Sequence, residues 1–214
     1  MMYFTSNQNS SNGFSLVETL VAIAILLIII VGPMSIATNS ANSTSFANQQ
    51  IMAYFLAQEG LELAQKGRDD FLLRGFDSGY PEGDNDAWNQ FTDTSSAGQF
   101  SDCFSSDGCS LEMGDGNDDG LADGTVAVIV DRCSNANGCR LYLTAATDER
   151  SHYTYDSNNA EITDFTRIIT MEQTPPNNNN KDVLVTSEVT WRTGNQIAEQ
   201  TTTATTYLYN VYGR

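Results

Sequence analysis

An almost unbroken apolar segment near the start of the chain constrains its structure most. Residues 14–31 read FSLVETLVAIAILLIIIV and contain a single ionisable side chain, Glu18. A helix needs about 20 apolar residues to cross a bilayer, and continuation of the segment to Ala37 reaches that length. The segment therefore predicts a membrane-spanning helix. A carboxylate in hydrocarbon is costly, however, and an ordinary membrane anchor does not explain Glu18.

A secretory signal peptide does not explain this segment either. Such a signal starts with basic residues and ends at a small-residue cleavage site after its apolar core. Residues 1–13 contain no Lys or Arg, and no such site follows Val31.

The sequence GFSLVE, followed by a long aliphatic run, resembles the class III signal of type IV pilins and of type II secretion pseudopilins. This resemblance implies a leader, residues 1–13, that prepilin peptidase removes between Gly13 and Phe14. It also implies an N-methylated amine on Phe14 and makes Glu18 the family's characteristic acid. Pro33 resembles the helix-weakening proline of many members. Family leaders are usually basic, and this leader is neutral.

The resemblance also supplies a physical reason for Glu18. Pilin subunits bundle their apolar helices in a filament core, where an isolated carboxylate is strongly disfavoured but a paired one is tolerated. We expect Glu18 to pair with the Phe14 amine of a neighbouring subunit. The acid then marks the register of assembly, because a misplaced subunit leaves its charge unpaired.

The pattern predicts one helix from Phe14 to about Lys66, interrupted only near Gly32–Pro33. Beyond the membrane segment (14–37), we expect it to continue in amphipathic form over residues 38–67. Small and apolar residues recur at helical spacing and predict a stripe that lies close against a sheet. Gly67 is the expected helix end. The stripe comprises Ala53, Leu56, Ala57, Gly60, Leu63, Ala64 and Gly67.

The remainder of the chain predicts a variable loop region followed by a β domain. Residues 68–124 are rich in Gly, Asp, Ser and Asn, with short strands or turns expected around 88–91, 100–104 and 111–113. Residues 125–214 carry strand patterns rich in Thr, Val, Ile and Tyr, and the last three should form an antiparallel meander. The fold class is therefore α+β, a long N-terminal helix packed on a C-terminal antiparallel β-sheet, as the pilin resemblance also implies. Expected strands cover 125–130, 140–147, 152–156, 165–173, 182–192 and 196–212.

Charge excludes one class of partner. The net charge is −17, and residues 67–132 contribute −12 of it, from 15 acidic and 3 basic side chains. Such a surface repels phosphates, so we expect no nucleic-acid binding through the acidic face.

Four cysteines form two pairs with identical spacing, Cys103/Cys109 and Cys133/Cys139. An even number beside an export-type N-terminus predicts disulfides in an oxidising compartment. The spacing suits a local bridge within each pair, and crossed pairing between the pairs is the alternative. Zinc is disfavoured, because CxxC spacing is absent and the chain has one His, His152.

One acidic loop has the ligand spacing of a calcium site. Residues 115–124 read DGNDDGLADG and place oxygen ligands at alternate positions, with a glycine at the turn. The glutamate that usually closes such a loop is replaced by Val126, so Glu112 or Asp131 would have to substitute. A solvated acidic loop without a metal is the alternative. The candidate ligands are Asp115, Asn117, Asp119, Leu121 and Asp123.

These observations predict a structural subunit, a minor pilin or minor pseudopilin. The resemblance implies other pilin subunits, prepilin peptidase and an inner-membrane assembly platform as partners. It implies a single-pass inner-membrane location before assembly and a surface filament afterwards. The alternative is a non-polymerising, membrane-anchored binding module with a Ca²⁺ loop. We expect no enzymatic activity, because His152 adjoins Tyr153 at a strand start and no nucleophile pattern accompanies it.

Overall fold

A computed structural model describes most of the chain, in two units that span Met1–Phe46 and Ala47–Arg214. Each unit is described by itself. The residues that the structure describes are 13, 15–77, 83–114, 128–133, 138–144, 151–174, 182–193 and 198–210.

The first element is the helix α1, Leu16–Asp77. Two predictions about it were wrong. The helix runs through Pro33 without a break, and it ends ten residues beyond Gly67. Gly67 lies inside the helix and does not end it. Its small size allows close packing, since a Cβ at this position would collide with the ring of Phe100.

The segment predicted as a variable loop region, 68–124, contains regular structure. Besides the end of α1, it holds α2 (Gly83–Phe91), a 3₁₀ helix (Ser101–Phe104) and the first strand, β1 (Cys109–Met113). Trp88, Phe91 and Phe100 are almost completely buried and pack around Leu63 and Ala64 of α1. These aromatic residues explain why the described part of a segment so poor in aliphatic side chains forms a packed core, since each large ring buries extensive apolar surface.

The remaining strands complete one seven-stranded antiparallel sheet. They are β2 (Val128–Arg132), β3 (Arg140–Thr144), β4 (Tyr153–Thr154), β5 (Ala160–Thr174), β6 (Asp182–Trp191) and β7 (Gln200–Tyr209). Consecutive strands β5, β6 and β7 form the predicted antiparallel meander, and β3 pairs with β4 as a hairpin. The α+β prediction is confirmed.

Strand β5 organises the sheet because it is paired along both edges. One edge pairs with β6 from Thr166 to Thr174. The other edge pairs with β3 over its first half and with β1 at Ile169, and β1 in turn pairs with β2. The two hairpins β1–β2 and β3–β4 therefore lie side by side along the same edge of β5.

The second half of α1 packs on one face of this sheet, as its pattern predicted. Every residue of the predicted stripe is buried, whereas Glu59, Glu62 and Gln65 are exposed. Gly60 marks the closest approach, because a Cβ there would lie 2.5 Å from the Oγ of Ser187 on β6. Glycine is thus required by the small distance between helix and sheet.

Candidate functional site

The predicted processing and assembly residues lie at the start of α1. Gly13 is exposed ahead of the helix, Glu18 is in its first turn, and Phe14 lies outside the described residues. The hydroxyl of Thr19 donates a hydrogen bond to the carbonyl of Leu16 at 2.8 Å. A carboxylate in the first turn interacts favourably with the free N–H groups and the positive end of the helix dipole.

The large apolar side chains that follow Glu18 are exposed in the structure of the chain. Fourteen large apolar side chains between Leu16 and Ile36 are 51–75% exposed. This part of α1 is long and apolar enough to cross a membrane, and it is the one such helix in the part of the chain that the structure describes. Exposed apolar surface of this extent marks a lipid or protein interface.

A second group of functional side chains fixes α1 to the sheet. Arg167 of β5 is 2% exposed, and its guanidinium lies beneath the helix. It donates hydrogen bonds to the Glu59 carboxylate at 2.8 Å and to the Leu56 carbonyl at 3.2 Å, both on α1. It also donates to the Leu111 carbonyl of β1 at 3.1 Å. One buried cation therefore connects the helix with two strands.

Tyr155, just after β4, completes this group. Its hydroxyl accepts a hydrogen bond from Arg167 Nε at 2.7 Å and donates one to the Arg167 carbonyl at 3.2 Å. Its backbone N–H donates to the carboxylate of Glu112 at 3.2 Å. The guanidinium carbon of Arg167 also lies 5.2 Å from the centre of the Tyr155 ring. We call Glu59, Glu112, Tyr155 and Arg167 the arginine cluster.

The protonation states in the arginine cluster follow from burial and charge. Burial raises the pKa of Tyr155, and the nearby positive charge of Arg167 opposes this effect without cancelling it. For Arg167, burial acts to lower the pKa, but Tyr155 and Glu59 outweigh it and the pKa is raised. Arg167 is therefore charged and Tyr155 neutral near neutral pH, as their hydrogen bonds require.

The arginine cluster is not evident from the sequence, although one signal of it is present. Phe165, Arg167, Ile169 and Met171 alternate along β5, and all four side chains are buried on the helix side of the sheet. A charged residue at a core-facing position of such a strand is unusual, because a buried charge needs partners. The partners of Arg167 on α1, Leu56 and Glu59, lie more than a hundred residues away, so the strand pattern does not reveal them.

The predicted disulfides are present and local. Cys103 is bonded to Cys109, and Cys133 is bonded to Cys139. The two rings meet beside β5: the N–H of Cys133 donates to the Gly108 carbonyl, and the N–H of Arg167 donates to the Cys139 carbonyl. The bridges hold the neighbouring ends of the hairpins β1–β2 and β3–β4.

The predicted calcium ligands, residues 115–123, lie outside the described residues. Both proposed substitute ligands are described: Glu112 belongs to the arginine cluster, and Asp131 lies in β2, opposite Ser110 of β1. No group of three His, Cys, Asp or Glu residues is arranged to hold a metal ion within the described parts of the chain.

An apolar helix that begins with an acid and packs its second half on an antiparallel sheet defines a pilin-like α+β protein. Residues 8–32 match the family description "prokaryotic N-terminal methylation motif", the signature of type IV pilins and pseudopilins. This match includes Gly13, Phe14 and Glu18, so the predicted class III signal is confirmed. A signal of this kind implies processing by prepilin peptidase and assembly with other pilin subunits.

The match covers the N-terminal signal alone. No curated protein and no solved structure matches the chain.

Proposed function

We propose that this protein is a minor pilin or minor pseudopilin, a structural subunit of a type IV pilus or of a type II secretion-type filament. The observation that carries the proposal is the coincidence of three features over residues 8–32. They are the methylation motif, an apolar helix whose described side chains are exposed, and an acid in the first turn of that helix. The acidic middle of the chain and its two small disulfide rings suit a minor subunit better than an abundant one.

In the proposed mechanism, prepilin peptidase cleaves after Gly13 and then, in a separate step, methylates the freed amine of Phe14, which stays charged. The apolar segment holds the processed subunit in the membrane and then enters the filament core. There the amine of one subunit pairs with Glu18 of its neighbour, because each charge would otherwise remain unpaired in an apolar environment. The arginine cluster keeps the second half of α1 fixed to the sheet.

Mass spectrometry of the mature N-terminus is the first test. We expect a chain that begins with N-methylated Phe14. An intact leader, or cleavage after residue 31, would contradict the proposal, and the protein would then be a membrane-anchored module that does not polymerise.

Glu18→Gln tests the role of the acid, with Glu62→Gln as the matched control. Both positions are exposed glutamates of α1, but Glu62 lies beside the sheet in the second half of the helix. We expect Glu18→Gln to be processed normally and to be lost from filaments, and Glu62→Gln to be normal in both respects. Normal incorporation of Glu18→Gln would refute the register argument while leaving the processing result unaffected.

A further inference from the structure

Strand β7 forms one edge of the sheet and is unusually regular for an edge strand. It pairs with β6 over ten consecutive residue pairs, from Gln200 opposite Trp191 to Tyr209 opposite Asp182, without a register shift. Among the strands that the structure describes, β7 pairs with β6 alone. The backbone N–H and C=O groups along its outer edge therefore form a template on which another strand fits.

The two other outer strands of the sheet are protected against such pairing. Strand β4 has only two residues, and β2 has five and ends in Asp131 and Arg132. Short edges and charged side chains are the usual means by which proteins prevent edge-to-edge association. Strand β7 has neither protection, and it contains no proline and no bulge.

Strand β7 is also uncharged in a strongly acidic protein. Its sequence, QTTTATTYLY, contains no ionisable side chain apart from two tyrosines, whereas the chain as a whole carries a net charge of −17. Two copies of such a protein repel each other over most of their surface. Two copies therefore approach each other with the least electrostatic repulsion along this uncharged edge.

The central part of β7, residues 202–206, reads TTATT and is symmetric about Ala204, and this symmetry favours a second β7 as the partner strand. We infer that β7 pairs antiparallel with β7 of a second copy of the chain, with the two-fold axis at Ala204. Thr203 then lies opposite Thr205 of the other copy, Thr202 opposite Thr206, and Thr201 opposite Tyr207. A two-fold interface needs this self-complementarity.

The inferred register also keeps the two faces of the sheet consistent. Thr201, Thr203 and Thr205 are exposed on the outer face, whereas Leu208 is buried on the helix side. Each pair related by the axis joins two outward or two inward side chains. The merged sheet of the two copies therefore keeps one helix-covered face and one outer face rich in threonine, and cross-strand Thr–Thr pairs of this kind stabilise sheets.

The geometry of this pairing restricts where it occurs. The two-fold axis is normal to the sheet, and the second half of α1 lies along the sheet, so the axis reverses the direction of α1 between the copies. Neighbouring subunits of one filament share a direction, which excludes them as partners. The pairing therefore joins free subunits, or subunits of two filaments that run in opposite directions. Only this last placement depends on the proposed function.

Cysteine pairs test the register in the full chain, purified in detergent micelles. The native cysteines are all bonded, so an introduced thiol is the only free one. Thr203→Cys and Thr205→Cys should form a disulfide-linked heterodimer when mixed and oxidised. Either variant alone should give at least about tenfold less, since the equivalent residue of the other copy is diagonal, about 7–8 Å away, beyond disulfide range.

The matched control is a mixture of Thr186→Cys and Thr190→Cys. These residues lie on the same outer face but on β6, one strand in from the edge, and should not cross-link. The inference is overturned if the Thr203/Thr205 mixture gives no heterodimer, or if it gives no more than the single variants or the control mixture.

Charge variants give a second, independent measurement, the dimer dissociation constant from analytical ultracentrifugation. Thr203→Lys/Thr205→Lys places like charges opposite each other twice and should weaken the dimer by about 2- to 30-fold. Thr203→Lys/Thr205→Glu places opposite charges together in the same positions and should restore or exceed the wild-type affinity. Equal dissociation constants for the two double variants would also overturn the inference. Neither experiment depends on Glu18 or on cleavage at Gly13, so its failure is separate from failure of the proposed function.

Discussion

Glu59→Gln is the most informative perturbation of the helix–sheet contact. The change keeps the size of the side chain on α1 and removes one negative charge. It leaves Arg167 buried, still bonded to Leu56, Leu111 and Tyr155, but without its carboxylate partner. The variant thus isolates the ion pair from the packing around it.

The expected cost follows from the unequal burial of the two partners. The Arg167 side chain is 2% exposed and that of Glu59 is 48% exposed, and they share one hydrogen bond of 2.8 Å. A hydrogen bond to a charged group contributes about 1.5–3 kcal/mol, and exposure of one partner reduces this by solvent screening. We expect the free energy of unfolding to fall by about 1–2 kcal/mol, which lies between the values for exposed and for fully buried pairs.

The assay is urea unfolding of the full chain in detergent micelles, followed by tryptophan fluorescence. Trp88 and Trp191 are both 2% exposed in the core of the unit Ala47–Arg214 and report its unfolding. A double-mutant cycle with Arg167→Met gives the coupling: in that background Glu59→Gln should cost almost nothing, because the cation is absent. An equal loss of unfolding free energy from Glu59→Gln in both backgrounds, or no loss in the wild type, would refute a stabilising ion pair between Glu59 and Arg167.

Three further predictions follow from other parts of the molecule. Because burial holds the pKa of Tyr155 above 10.0, the unfolded chain ionises first as pH rises. Stability should therefore fall above about pH 10, and Tyr155→Phe should reduce that fall in urea unfolding curves measured from about pH 9 to about pH 11. Gly60→Ala should destabilise the wild type, because its Cβ meets the Ser187 hydroxyl, and it should destabilise a Ser187→Ala background less, where only the contacts with Ile169 and Arg167 remain. Calorimetric titration of the full chain with Ca²⁺ should show a dissociation constant of about 10⁻⁴–10⁻³ M, as in extracellular sites. Asp119→Ala should remove this signal, and identical traces for the two proteins would exclude the loop as a calcium site.

The parts of the fold that local pattern encodes could be predicted from the sequence. The buried stripe from Ala53 to Gly67 follows from helical spacing, and the meander β5–β6–β7 follows from alternation bounded by turn residues. Glu18 and its surroundings form a short contiguous motif, which needs no tertiary information.

The remaining features depend on contacts between distant residues. Glycine is a typical residue at the end of a helix, but Gly67 lies inside α1, where the ring of Phe100 leaves no room for a side chain. The sequence does not show that Phe100 lies beside it. The ion-pair partner of Arg167, Glu59, lies on α1, 108 residues earlier in the chain. Strand β1 has few residues and meets β5 at a single pair, Cys109 opposite Ile169, so its membership of the sheet depends on tertiary structure more than on propensity.

The two small disulfide rings have a consequence for maturation. In each ring the bonded residues are separated by only six positions. Two thiols so close in sequence meet far more often in an unfolded chain than thiols from different rings, because the entropy of loop closure increases with length. Correct pairing is therefore favoured from the first oxidation, before the strands associate, and the folding chain has little need of a disulfide-shuffling catalyst.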